Sequence, residues 1–348
     1  MPHKNVSVVI LNWNGKDLLS RFLPGIIRHS GKAEIVVADN ASTDGSVAML
    51  GEKFPTVRIV QNSKNGGFAK GYNDALQEIK ADYYVLLNSD VEVSPNWLDP
   101  LIRLAESDPT VAACQPKILD YKNKSRFEYA GAAGGFIDKF GYPFCRGRIF
   151  DSFENDEGQY NDTREVFWAT GACLFVRSDA FHRQQGLDED FFAHMEEIDL
   201  CWRLKNEGFK IMYCAESTVY HIGGGTLSKS NPKKTFLNFR NSLILLCKNH
   251  APGFFWLKLL FRMILDCVAG LKFLFAGDVR HCLAVVHAHL SFYKTFGRTM
   301  SKRHSQRRQI VRYSTTALYR KCIVIDYYLL GKNKFSELNE DAFFSKSK

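Results

Sequence analysis

The densest run of chemistry-bearing residues in this sequence is Phe191 to Arg203, FFAHMEEIDLCWR, which places Glu196, Glu197 and Asp199 in the first turn of an expected helix. Carboxylates there suit the helix dipole, which is one sufficient reason for them. Neighbours on a helix point about 100° apart, however, so one of Glu196 and Glu197 can face a cleft while the other holds the scaffold. A carboxylate in a cleft can deprotonate an attacking hydroxyl, and Glu197 suits the part of general base. A second acidic motif, Asn88-Ser89-Asp90, closes an apolar run, a position from which a short acidic motif can hold a divalent ion against a diphosphate. A lone carboxylate makes a weak ion site. Among the ten histidines His221, in Tyr220-His221-Ile222-Gly223-Gly224-Gly225-Thr226, is the best placed to help, with a purely structural histidine as the competing explanation.

Two further segments have binding chemistry. In Asp39-Asn40-Ala41-Ser42-Thr43-Asp44-Gly45 a carboxylate at a strand end can accept hydrogen bonds from a ribose or a base imide, although a capped turn explains the same residues equally well. In Asn65-Gly66-Gly67-Phe68-Ala69-Lys70-Gly71-Tyr72-Asn73 the glycines let backbone approach a ligand, and Lys70 can approach a phosphate near a helix N-terminus. The glycine spacing matches neither GxGxxG nor GxxxxGK[ST], which counts against a dinucleotide fold and a P-loop ATPase.

These residues need elements to position them. VSVVILN (6–12), EIVVAD (34–39), VRIVQN (57–62) and YYVLLN (83–88) are almost continuously apolar, as parallel strands buried on both faces must be, and about 20 residues of helical spacing separate them. The pattern predicts an α/β protein with a doubly wound sheet. Ligands bind such sheets at the carboxyl ends of the strands, and all four end in Asn or Asp: Asn12, Asp39, Asn62 and Asn88. Residues 120–165, rich in glycine and aromatics, read as loops and short strands facing substrate. A strand near 172–177, a helix near 196–208 and strands near 210–214 and 217–221 follow.

The formal charge of +9 is local. Residues 1–278 hold 32 basic and 33 acidic side chains, whereas 279–325 hold ten basic and none acidic. The first 278 residues therefore need no polyanion, and the charge draws a domain boundary after them. Residues 254–276 are apolar apart from Lys258, Arg262, Asp266 and Lys272, which share one arc of a helix, so this segment suits a membrane interface with Lys and Arg snorkelling to headgroups. Packing of the same helices on the preceding domain is the alternative. No nucleic-acid-binding module is recognisable. Nine cysteines without a CxxC pair and a start without a signal-peptide pattern suggest a reduced, cytoplasmic setting.

The ordered set VSVVILNWNG, VADNASTDGS, NGGFAKGYN, LLNSD, TGACLFVRSDAF, MEEIDLCWR and YHIGGGT resembles glycosyltransferase family 2, in particular its rhamnosyltransferase-like branch, over roughly residues 5–250. The resemblance implies a GT-A catalytic domain over 1–250, a doubly wound and mostly parallel sheet, followed by a C-terminal amphipathic helical region over 251–348. It implies a nucleotide-diphosphate sugar as donor, dTDP-rhamnose-like or a UDP-sugar, a divalent metal (Mg2+ or Mn2+), and inversion in a single displacement. The acceptor so implied is a lipid-linked or cell-surface polysaccharide, reached from an anionic membrane surface on the inner face of the cell membrane. Carried over by position, Asn12, Asp39, Asn40, Asn65, Gly66, Lys70, Asn88 and Ser89 line the nucleotide pocket and Gly171 and Ala172 the sugar pocket. Asp90 and His221 hold the metal, Glu197 is the general base, and Asp199 with Arg203 holds the helix. Two positions depart from the pattern. Asn88 stands where a DxD motif has Asp, which implies more reliance on His221, and Glu replaces Asp at 197, which leaves Glu196 as an alternative base. A nucleotidyltransferase and a non-catalytic membrane scaffold are the competing functions. The first lacks a glycine- and basic-rich loop after strand one, and the filled acidic positions count against the second.

Overall fold

The structure is a computed structural model that describes residues 4–223 and 231–343; Gly224, Gly225 and Thr226 of the histidine motif lie outside them. The four apolar runs form β1 (Val6–Asn12), β2 (Glu34–Asp39), β3 (Arg58–Gln61) and β4 (Tyr83–Asn88), linked by α1 (Lys16–His29), α2 (Ser46–Lys53) and α3 (Gly67–Leu76). They are parallel, in the order β3-β2-β1-β4. Alternate side chains feed two cores. Val8, Ile10, Val37 and Val85 pack with Leu19 and Phe22 of α1, while Val9, Val36 and Leu86 pack with Ala69 and Tyr72 of α3. Both faces are covered, which is why the strands read as unbroken apolar runs. The register pairs Asn12 with Asp39 and Leu11 with Asn88, so the polar strand ends share one rim of the sheet.

After β5 (Val91–Val93) and α4 (Leu98–Ser107) comes β6 (Val111–Asp120), a fully fledged strand that the hydropathy pattern conceals because Gln115 and Lys117 interrupt it. Both are buried and satisfied from the segments that follow. Gln115 accepts a hydrogen bond from the Thr170 amide at 3.0 Å, and Lys117 donates to Asp156 and Asn161, both at 2.6 Å. The region expected as loops and short strands supplies β7 (Gly135–Asp138), β8 (Pro143–Cys145), β9 (Arg148–Ile149), β10 (Ser152–Phe153) and β11 (Arg164–Val166). The main sheet is completed by β12 (Cys173–Arg177), antiparallel between β4 and β6, and β13 (Lys210–His221), parallel to β6, with α5 (Ser178–Arg183) and α6 (Glu196–Glu207) between them. The two strands expected at 210–214 and 217–221 are thus one, irregular between Cys214 and Thr218.

The chain ends with α7 (Pro232–Asn249), α8 (Phe255–Phe275), α9 (Val279–Gln306), β14 (Leu318–Tyr319) and α10 (Ile323–Tyr328). Strand β14 pairs with β7 and closes a second sheet, β10-β9-β8-β7-β14. The rings of Phe335 and Phe343 lie 4.9 and 5.1 Å from that of Phe136. Residues on either side of position 250 thus pack into one core.

The charged pair in the middle of the polar arc of α8 does not face headgroups, although Lys272 is exposed and Lys258 partly so. Arg262 and Asp266 are 2% and 0% exposed. Arg262 donates to Asp266 at 2.9 Å and to Ser242 at 2.6 Å, and lies 3.7 Å over the Tyr142 ring, whose hydroxyl donates to Asp266 at 2.9 Å. Burying a charge without partners is costly, so this pair turns to the protein where partners exist. Three residues of the basic stretch do the same: Arg298 pairs with Asp190, Lys302 with Asp188 and Asp190, and Arg303 donates to the Cys247 carbonyl. Among the described residues no helix is long and apolar enough to cross a membrane. All nine cysteines are free thiols.

Candidate active site

The polar rim begins at β1. Asn12 is fully buried and donates to Asp39 at 2.9 Å and to Ser42 at 3.1 Å, while Asp39 accepts from the Ser42 amide at 2.9 Å. The side-chain Oδ1 of Asn12 has no hydrogen-bond partner among the described residues. Asn40 donates to Asn65 and to the Gly67 carbonyl, both at 3.0 Å, and Asn62 donates to Asn40 at 3.1 Å. These amides brace the loop that opens α3, where Gly67 has φ +80° and a Cβ would stand 2.7 Å from the Phe192 carbonyl oxygen. Gly66 immediately precedes this helix. Lys70 does not reach into the rim; it pairs with Asp74 one turn along α3 at 2.7 Å.

The acidic motif and the histidine, 131 positions apart in sequence, meet across the sheet because β13 runs beside β6 and β5. His221 Nε2 lies 3.1 Å from Asp90 Oδ1 and 3.4 Å from the Asn88 amide nitrogen. On the opposite side, Nδ1 lies 3.2 Å from Oε2 of Glu128. Glu128 carried no signal in the sequence, since it sits in the aperiodic segment FEYAGAAGG, yet it is 5% exposed and belongs to this site. Burial pulls the His221 pKa down, but carboxylates on both nitrogens outweigh it and hold the ring at about 10. For Asp90, burial raises the pKa and the His221 charge more than offsets it, leaving the carboxyl below its usual range.

Asp90 and the Nε2 nitrogen of His221, 3.1 Å apart, are the groups that would hold a divalent cation, which would supply positive charge there. An imidazole whose other nitrogen faces a carboxylate is the usual arrangement of a metal-binding histidine. The donor set therefore fits Mg2+ or Mn2+ held by Asp90 and His221. Asp90 and Glu128 sit on opposite ring nitrogens, and among the described residues no three such side chains converge on one point. Oxygens of a diphosphate and water would have to complete the coordination.

The third group is reached through β12. The Asn88 amide donates to the Ala172 carbonyl at 3.0 Å, and a Cβ on Gly171 would stand 3.8 Å from Glu197 Cβ and 3.1 Å from the Phe68 ring. A side chain at position 171 would thus press on Phe68 beside Glu197; Ser89 lies beside the β1–α1 turn, 3.6 Å from a Cβ on Gly15. Glu196 is 4% exposed, whereas Glu197 is less deeply buried, and each keeps one oxygen without a hydrogen-bond partner among the described residues. Burial and the neighbouring Glu197 charge drive the Glu196 carboxyl well above the ordinary value. Burial also raises Glu197, opposed by backbone groups that include Ile198 and Gly171.

A strained turn, with φ +63° at Phe192, +70° at His194 and +78° at Met195, delivers these acids. Asn241 of α7 cages it by donating to the carbonyls of Phe191, Ala193 and His194 at 3.0, 2.9 and 2.7 Å. Asp199 is fully buried and accepts from Arg203 of its own helix and Lys248 at 2.8 Å and from Asn249 at 2.7 Å, so α6 is anchored to α7.

Comparison with known proteins places this geometry in context. The profile of glycosyl transferase family 2 matches residues 7–183, just over half of the chain. The N-acetylglucosaminyl-diphospho-decaprenol L-rhamnosyltransferase of Mycobacterium tuberculosis is 25% identical over 260 residues, 70% of this chain and 84% of that protein. Rhamnosyltransferase WbbL of Escherichia coli is 25% identical over 223 residues, 62% of this chain and 83% of its own. Among solved structures, the mannosyltransferase PcManGT from Pyrobaculum calidifontis in complex with GDP-Man and Mn2+ superposes with a TM-score of 0.52 at 16% identity, covering 88% of this chain and 86% of the other. The chain belongs to glycosyl transferase family 2 and has the GT-A fold, with rhamnosyltransferases among its relatives.

Proposed function

We propose that this protein transfers a sugar, with a deoxyhexose such as rhamnose the first candidate, from a nucleotide-diphosphate donor to a hydroxyl of a lipid-linked or polysaccharide acceptor, with inversion. One observation carries the reading: the rim of the sheet holds an Asp90–His221 pair and, beside Gly171, a carboxyl, Glu197, whose buried Oε2 has no hydrogen-bond partner among the described residues. Asn12, Asp39, Asn40, Asn65, Gly66, Asn88 and Ser89 border the nucleotide end, and Gly171 with Ala172 the sugar end, while Lys70, paired with Asp74, stands outside it. Asp90 and His221 would hold a divalent metal, which supplies positive charge for a departing diphosphate. Glu128 fixes the ring of His221 through Nδ1. Burial and the neighbouring acid raise the Glu196 carboxyl further than that of Glu197, which favours Glu197 as the group that takes the acceptor proton. The names of the rhamnosyltransferase relatives support the donor and the lipid-linked acceptor.

Two measurements test this reading. Thermal unfolding in the presence of a panel of nucleotide sugars with Mn2+ or Mg2+ should show stabilisation by one donor, dTDP-rhamnose first, only when metal is present. A panel with no shift from any donor would refute the reading. His221→Ala should raise the Mn2+ concentration needed for half of that shift by about tenfold or more. An unchanged requirement counts against His221 as a ligand.

A further inference from the structure

With its ionic arc turned inward, α8 presents the opposite face to solvent. Leu257, Leu260, Ile264, Val268 and Leu271, spaced by three or four residues along one side, are each between 51 and 63% exposed. Helix α9 packs beside α8, with Gly270 against Val285, and adds Val279, Leu283, Val286 and Leu290, again spaced by three or four and about half exposed. At the far end Lys272 lies 4.3 Å over the Tyr328 ring, which brings the exposed Leu329 and Leu330 next to the same face. Large contiguous apolar surfaces of this kind mark interaction sites. Their occupant follows from charge. Residues 279–325 contain no acidic side chain, and eight of their ten basic residues, among them Arg280, Lys294, Arg307 and Arg308, are exposed. A second copy docked about a twofold axis would bring these cations together without neutralising them, whereas anionic headgroups neutralise them and acyl chains accept the apolar stripe.

We propose that α8 and α9 form a membrane-docking face that lies flat in an anionic leaflet, its apolar stripe among the acyl chains and its ionic arc bound to the protein. The hairpin is tied to the catalytic turn: Arg298 and Lys302 pair with Asp188 and Asp190, just before the Phe192–Met195 turn that delivers Glu196 and Glu197. Docking therefore holds the acid pair at a set height above the leaflet.

The test uses the full chain with no donor or acceptor, so its failure would leave the glycosyl-transfer reading standing. The protein should sediment with vesicles of phosphatidylcholine and phosphatidylglycerol and much less with phosphatidylcholine alone. Leu260→Glu/Val286→Glu should lower vesicle partitioning by about tenfold or more with an unchanged melting temperature, because both side chains are already exposed. Arg307→Glu/Arg308→Glu should remove the preference for the anionic lipid. As a measurement that needs no change in the apolar stripe, brominated acyl chains should quench the exposed Trp256, and Trp256→Phe should lose that quenching. A wild-type protein that stays in the supernatant with every vesicle overturns the proposal. So does a dimer, seen by sedimentation velocity, that the Leu260/Val286 change dissolves while vesicles bind neither form.

Discussion

Glu197→Gln lowers kcat by about 10²- to 10⁴-fold while leaving metal-dependent donor binding intact, because the amide keeps the shape of the side chain and loses only the ability to accept a proton. The pH profile of the wild type provides an independent check. A general base must be deprotonated to act, and burial raises the Glu197 carboxyl above its ordinary value of 4.5. The acid limb of kcat/KM therefore lies above that value, with activity lost as pH falls through it. The Gln variant's residual activity should lack that limb. Transfer by Glu197→Gln near the wild-type rate would remove Glu197 from the reaction. In that case Glu196→Gln becomes the decisive variant, although the Glu196 carboxyl, pushed further up by burial and by Glu197, is the poorer base at neutral pH.

Asp199→Ala destabilises the fold by about 3–5 kcal/mol, since it strips a fully buried carboxylate from Arg203, Lys248 and Asn249 and leaves two buried cations short of an acceptor. Arg203 keeps the carbonyls of Gln184 and Gly186, and Lys248 keeps Asp188, so neither charge is wholly abandoned. Asp199→Asn retains the shape and one accepting oxygen and should fall between the two. Urea unfolding of the three proteins measures the series, and a loss below about 1 kcal/mol for the Ala variant would show that α6 is anchored by its apolar contacts instead.

Much of the catalytic half was legible from residue order. Unbroken apolar runs predict strands covered on both faces, and three of the four end where the pattern places them, at Asn12, Asp39 and Asn88. The acids of the first turn of α6 follow from helical spacing, and the Asp199–Arg203 brace, seen at 2.8 Å, is what the family resemblance implies. Strand β6 was hidden because Gln115 and Lys117 look like surface residues; their partners, Thr170, Asp156 and Asn161, are distant in sequence, and burial of polar groups becomes tolerable only once those partners arrive. Glu128 escaped for the same reason, as nothing near it in sequence marks it as the neighbour of His221.

The amphipathic segment 254–276 shows where the limit lies. Spacing determines that Arg262 and Asp266 share one side of a helix and the leucines the other, and by itself the sequence determined no more than that, along with the strands, the acid motif and the acid pair. Which side faces outward is decided by what the rest of the fold offers. Tyr142, Phe140 and Ser242 present a ring, a carbonyl and a hydroxyl that satisfy the ionic arc, so the arc turns in and the apolar face is left outside. The tertiary structure likewise decided that His221 meets Asp90 and Glu128, because only the pairing of β13 with β5 and β6 brings three separate stretches of chain to one rim.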